Sequence, residues 1–305
     1  MGVFLLALAI RLWFQARVQG TLLDGVLVSD SQTYWDWASR LTGELPRSEG
    51  PFFLAPLYPH FLGALREILG DPLAGILRAQ AVCGAIAVAL LADASRRLSS
   101  AWIGLAVGVI AACYAPFVFH DSLILTESPL LLLGVLLLWV SALRSTGDHP
   151  VRSGLALGTI VGLMALARAT NLAWLAVIVF IPDPSGQLSR RVTRAAVAAL
   201  VALAVCVPAM IHNHRVSREW IPLTYSLGFN LAAGFGPGAN GAYVPPTGAW
   251  TMRLPPGQGR EGGGEWDGRD YLLASEGRRL SPSESSRHWT GVAFQEMRRD
   301  CQFAE

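Results

Sequence analysis

The chain has 305 residues, of which 52% are hydrophobic and 15% charged, with a formal net charge of +2. A soluble domain carries roughly 25% charged residues. Here the charges collect between long apolar stretches, so the chain reads as an all-α, polytopic transmembrane bundle, and the near-neutral balance offers nothing to a nucleic acid.

A helix needs about 20 apolar residues to cross the bilayer core. In chain order the candidate spans are 2–18, 73–94, 101–121, 128–144, 153–168, 170–182 and 194–212. The first has no basic start, and Arg11 interrupts it before any small-residue cleavage site, so it reads as a span and not as a signal peptide. Arg96-Arg97, then Arg144 and Arg152, then Arg190-Arg191 and Arg194 fall on alternate connections, which the positive-inside rule makes cytoplasmic. The loop 19–72, the corner 120–127, the corner near Arg168 and the tail after 212 are then expected outside. Trp102, Trp139, Trp174 and Trp220 sit near span ends, as an aromatic belt does.

The loop 19–72 is long enough for two interfacial helices. Ser29-x-x-Gln32 has the spacing of a capping box, Tyr34, Trp37, Ala38 and Leu41 recur at helical spacing, and Gly43 is a stop. A second helix is expected from Pro59 through Phe61, Leu62, Leu65 and Ile68 to Gly70. Residues 228–264 are rich in Gly and Pro and read as loop, and a further helix starts at Ser281-Pro-Ser-Glu284. The expected division is a membrane region over 1–220 and an extracytoplasmic segment over 221–305. The chain stops after helix-like residues with no closing apolar span, so it reads as an N-terminal fragment.

Chemistry is expected from a few polar groups at span ends. Asp30 opens the first loop helix; as a bland alternative it only offsets the positive helix end. Glu127 lies in His120-Asp-Ser-Leu-Ile-Leu-Thr-Glu127, between two strongly apolar spans, where an ionisable group is costly and points to function. Arg11, Arg168 and Arg215 suit a bidentate grip on phosphate, with snorkelling to headgroups as the alternative. His212-Asn-His214 has poor helical spacing for a metal and no third ligand, and the four cysteines form no Cys-x-x-Cys or Cys/His cluster. No nucleotide-binding loop or hydrolase elbow is present.

Three runs in this order, Ser29-Asp-Ser-Gln-Thr-Tyr-Trp-Asp-Trp-Ala38, Phe53-Leu-Ala-Pro-Leu-Tyr-Pro-His-Phe-Leu62 and Tyr114-Ala-Pro-Phe-Val-Phe-His-Asp-Ser-Leu-Ile-Leu-Thr-Glu127, resemble the GT-C superfamily of membrane glycosyltransferases. The chain is similar to the protein O-mannosyltransferases and the lipid A aminoarabinose transferases, and to the bacterial subgroup that often carries tetratricopeptide repeats. The resemblance implies a bacterial inner-membrane enzyme with its site outside. Its donor is a polyprenyl-phosphate sugar, and its acceptor is a hydroxyl of a protein, lipid or glycan. Asp30 would deprotonate that hydroxyl, and the sugar carbon would invert. Glu127 falls near the family's second acidic site, which binds acceptor or metal. Arg11 and Arg168 would hold phosphate, and Tyr34, Tyr58, His120, Asp121 and Arg215 complete the expected substrate contacts. Ser31 stands where a second acid is often found, so no metal ligands are assigned. The cofactor stays unknown, with a divalent metal compatible and a nucleotide not. Two rival readings are a flippase for lipid-linked sugars, which should show repeated halves, and a non-catalytic membrane scaffold.

Overall fold

In a computed structural model, all residues are described except 22–24, 26, 28–29, 45–49, 71–72, 144–148, 183–184, 243, 247–266 and 304–305. The described residues form helices and no strands. They are α1 (Gly2–Val18), α2 (Ser31–Leu41), α3 (Leu57–Leu69), α4 (Leu73–Leu98), α5 (Ala101–Cys113), α6 (Ala115–His120), α7 (Glu127–Leu143), α8 (Pro150–Ala167), a 3-10 turn (Ala169–Ala173), α9 (Trp174–Phe180), α10 (Leu188–Ser217), α11 (Leu227–Phe235), α12 (Arg269–Glu276) and α13 (Pro282–Phe303). Helices α4, α8 and α10 are long and apolar enough to cross a membrane.

Several expected boundaries move. The third span is broken at Tyr114, because Pro116 in the first turn of α6 lacks the N–H that would continue the ladder. The sixth begins as the 3-10 turn and leaves only a short α9. Helix α3 starts at Leu57, two residues before the expected Pro59, which still lies in the first turn where its missing N–H costs nothing. Its stop is the expected Gly70, at φ +69°. The capping box predicted at Ser29 lies outside the described residues; the helix begins at Ser31, and Gln32 donates to Asp36 Oδ1 at 2.6 Å. The start of the expected loop 228–264 is helical, as part of α11.

The chain falls into two compact units, Met1–Arg47 with Pro56–Cys206, and Ser48–Ala55 with Val207–Glu305. In the first, α4 packs against α1, α5 and α7. Small residues set these approaches: a methyl added to Gly104 would lie 2.7 Å from the Ala92 carbonyl oxygen, and one on Gly108 would lie 2.8 Å from Ala92 Cβ. Ala7, Ala85, Val88, Ala111 and Ala112 fill the resulting core. Helix α8 meets α10 through Gly154, Gly158 and Gly162, a stripe at four-residue spacing.

The second unit is built on aromatic packing. Phe53 lies 5.3 Å from Tyr225 and 5.8 Å from Phe229, and Trp289 closes on Phe229 at 5.9 Å. Buried Asn213 accepts from Phe52 N and donates to the carbonyls of Ile221 and Leu223, which ties Phe52 to α10. Helix α13 starts at the expected place with a capping box, Ser281 N donating to Glu284 and Glu284 N donating to Ser281 Oγ. Burial pushes the carboxyl of Asp267 up to about 6, although Tyr225 and the Arg269 amide donate to it.

Candidate active site

The loop helices form a braced platform. Helix α2 turns Tyr34 and Ala38 inward, and α3 answers with Tyr58, Leu62 and Gly63. The rings of Tyr34 and Tyr58 meet edge to face at 5.1 Å. Arg66, buried on the same face of α3, lies 4.3 Å from the ring of Trp35 and bonds Ser39 Oγ and Glu44, so it grips the far end of α2. The Tyr58 hydroxyl donates to Gln80 Oε1 at 2.6 Å, and the Gln80 amide donates to the carbonyls of Leu123 at 2.8 Å and Asp121 at 3.3 Å. One hydrogen-bonded chain therefore joins α3, α4 and the corner that leads into α7.

Asp30 stands at the start of this platform. Its carbonyl accepts from Tyr34 N, as a helix-start residue requires, but its carboxylate makes no capping bond. The residue is open to solvent on one side, while protein packed around the carboxyl group strips part of its hydration and raises its pKa. The negative charge of Glu127 raises it further, and the positive charge of Arg168 opposes both. The Tyr34 phenol is likewise raised, first by burial and then by Asp30 and Glu127. Asp30, Tyr34, Glu127 and Arg168 thus share one electrostatic site.

Glu127 opens α7, and Arg168 ends α8 in an extended backbone conformation. The two side chains form an ion pair, about half exposed at the arginine. Glu127 uses one oxygen for this pair; its Oε2 is buried with no partner among the described residues, as are Ser31 Oγ beside Asp30 and Thr126 Oγ1 beside Glu127. Buried polar atoms are rarely left so.

The other expected site residues lie differently. Arg11 is fully buried in α1: its Nε bonds Asp121 Oδ2 at 2.7 Å and its Nη1 the Ala7 carbonyl at 3.2 Å, while Arg11 Nη2 and Asp121 Oδ1 are buried with no partner among the described residues. Tyr58 is buried with its hydroxyl on Gln80, which makes it a positioning residue. His120 is half-buried, with its ring on Phe119. Arg215 is exposed on α10, in the second unit. Sequence reasoning passed over Gln80 and Arg66. Each carries a signal: a lone amide inside an apolar span, and a charge at i+4 from Leu62 on an apolar face. Among the described residues, no three His, Cys, Asp or Glu side chains gather closely enough to hold a metal ion.

Fold and site together define a polytopic helical membrane protein with a carboxylate–arginine constellation at one end of its bundle. Residues 53–212, just over half of the chain, match the family described as dolichyl-phosphate-mannose-protein mannosyltransferase. The chain belongs to that family and is a GT-C-type membrane glycosyltransferase. Glu127 and Arg168 lie inside the matched residues, and Asp30 precedes them. No curated protein and no solved structure matches the chain.

Proposed function

We propose that the chain moves a sugar from a polyprenyl-phosphate donor to an acceptor hydroxyl of a protein, lipid or glycan, on the outer side of the bacterial inner membrane, with inversion. The observation that carries this reading is the shared site of Asp30, Glu127 and Arg168, where one carboxylate is free of any helix-capping duty. A hydroxyl is a poor nucleophile until its proton has a destination. Asp30, made more basic by burial and by Glu127, supplies one. The hydroxyl oxygen attacks the anomeric carbon from the face opposite the phosphate, and the bond to the phosphate oxygen breaks. Negative charge grows on the departing phosphate, and the exposed guanidinium of Arg168 offers it N–H donors. Glu127 holds Arg168 in place while its second oxygen stays available to an acceptor hydroxyl. The bracing through Tyr34, Tyr58 and Gln80 matters because small misplacements of a base are costly.

The test is transfer by the full-length protein in membranes supplied with a polyprenyl-phosphate sugar. Asp30→Asn is expected to lower the rate by about 10²- to 10⁴-fold while leaving expression and membrane insertion normal. In the unaltered enzyme the base acts only when ionised, so activity should fall as pH drops through a midpoint higher than that of a free aspartate. Near-normal transfer by Asp30→Asn would refute the assignment.

A further inference from the structure

A second feature of the first unit lies apart from these acids. A cavity of about 530 Å³ opens between the C-terminal half of α1 and the first turns of α4. Leu12, Ala16, Leu27, Leu73, Leu77 and Ile124 give it an apolar wall. Two polar groups on its lining are already engaged: Gln15 donates to the Leu77 carbonyl at 2.9 Å, and Ser122 Oγ donates to that of Val118 at 3.2 Å. Arg78 is different. It is exposed at the edge of the cavity and has no ion-pair partner among the described residues. None of the described lining residues is acidic, and α4 turns its positive end toward the same place.

Ligand cavities commonly span about 300–1,000 Å³ with mostly apolar walls and a few placed polar groups. An apolar chamber beside one unneutralised guanidinium, in a membrane protein, complements an amphiphile with an anionic head. We propose that this cavity binds an anionic phospholipid of the surrounding bilayer, with its phosphate on Arg78 and an acyl chain against Leu12, Leu73 and Leu77. Gly25, at φ +67°, and Leu27 form one side of the cavity shortly before Asp30 in the chain. The lipid therefore packs against Gly25 and Leu27, and the site stands whether or not the catalytic reading does.

The full chain, purified in detergent, is mixed with phosphatidylglycerol or with phosphatidylcholine and examined by native mass spectrometry. The phosphatidylglycerol adduct is expected to persist, to weaken about tenfold in Arg78→Gln through loss of a charge-assisted hydrogen bond, and to vanish in Ala74→Trp, which fills the chamber. Phosphatidylcholine should bind less and ignore the Arg78 change. If Ala74→Trp does not fold, the exposed Arg78→Gln decides alone. Equal retention of both lipids with no effect of Arg78→Gln overturns the proposal. So does an Arg78-dependent adduct formed only with polyprenyl phosphate, which would make the cavity part of the donor site.

Discussion

Arg11 and Asp121 come from positions 110 residues apart and end as one buried ion pair. Two charges withdrawn from water each lose several kcal/mol of hydration, which their attraction repays only with good geometry. Gly84 makes room for them, since a methyl there would lie 1.9 Å from Asp121 Oδ2 and 2.7 Å from Arg11 Nε. Removing one partner strands the other. Arg11→Met is expected to destabilise the purified protein by about 3–5 kcal/mol, and adding Asp121→Leu should restore most of the loss, as read by thermal unfolding in detergent. If the double variant is no more stable than the single one, the pair is not the reason for the loss. The charge inside the first span was legible in the sequence; its partner was not, because hydropathy says that a charge is costly without saying what answers it.

At the scale of elements, the approach of α8 to α10 rests on glycine. A methyl on Gly158 would sit 2.5 Å from the Ala198 carbonyl oxygen and 2.8 Å from its Cα, both backbone atoms that cannot swing aside. Gly158→Ala should therefore cost about 1–3 kcal/mol despite the better helix propensity of alanine. Gly134→Ala in α7, where the nearest atom is Met164 Cε at 3.9 Å, should be tolerated. Thermal unfolding of the two variants side by side checks this, and equal midpoints would remove the close-packing account. The two loop helices show which element features are local. Their period and their glycine stops, Gly43 and Gly70, follow from the sequence, since apolar spacing and positive φ are properties of short segments. A capping box forms at Ser281-x-x-Glu284, where Glu284 returns to the Ser281 amide, whereas Gln32 in α2 donates to Asp36 on its own helix.

For the whole molecule, the sidedness proposed from the arginines carries its own test. With the four native cysteines replaced, a cysteine at exposed Thr21 should react with an impermeant maleimide on intact cells, and one at exposed Ser99, next to Arg96 and Arg97, should react only after permeabilisation. The reverse pattern would put Asp30 and its neighbours on the cytoplasmic side. Hydropathy, periodicity and turn residues, read over windows no longer than a helix, are enough for the membrane class, most of the helices and the short list of acids and arginines. How that list divides depends on the folded packing. Arg168 meets Glu127 in the field of Asp30, whereas Arg11 is withdrawn onto Asp121 and Tyr58 onto Gln80. That division is a matter of which charge reaches which partner once water is excluded, and a pattern along one chain does not contain it.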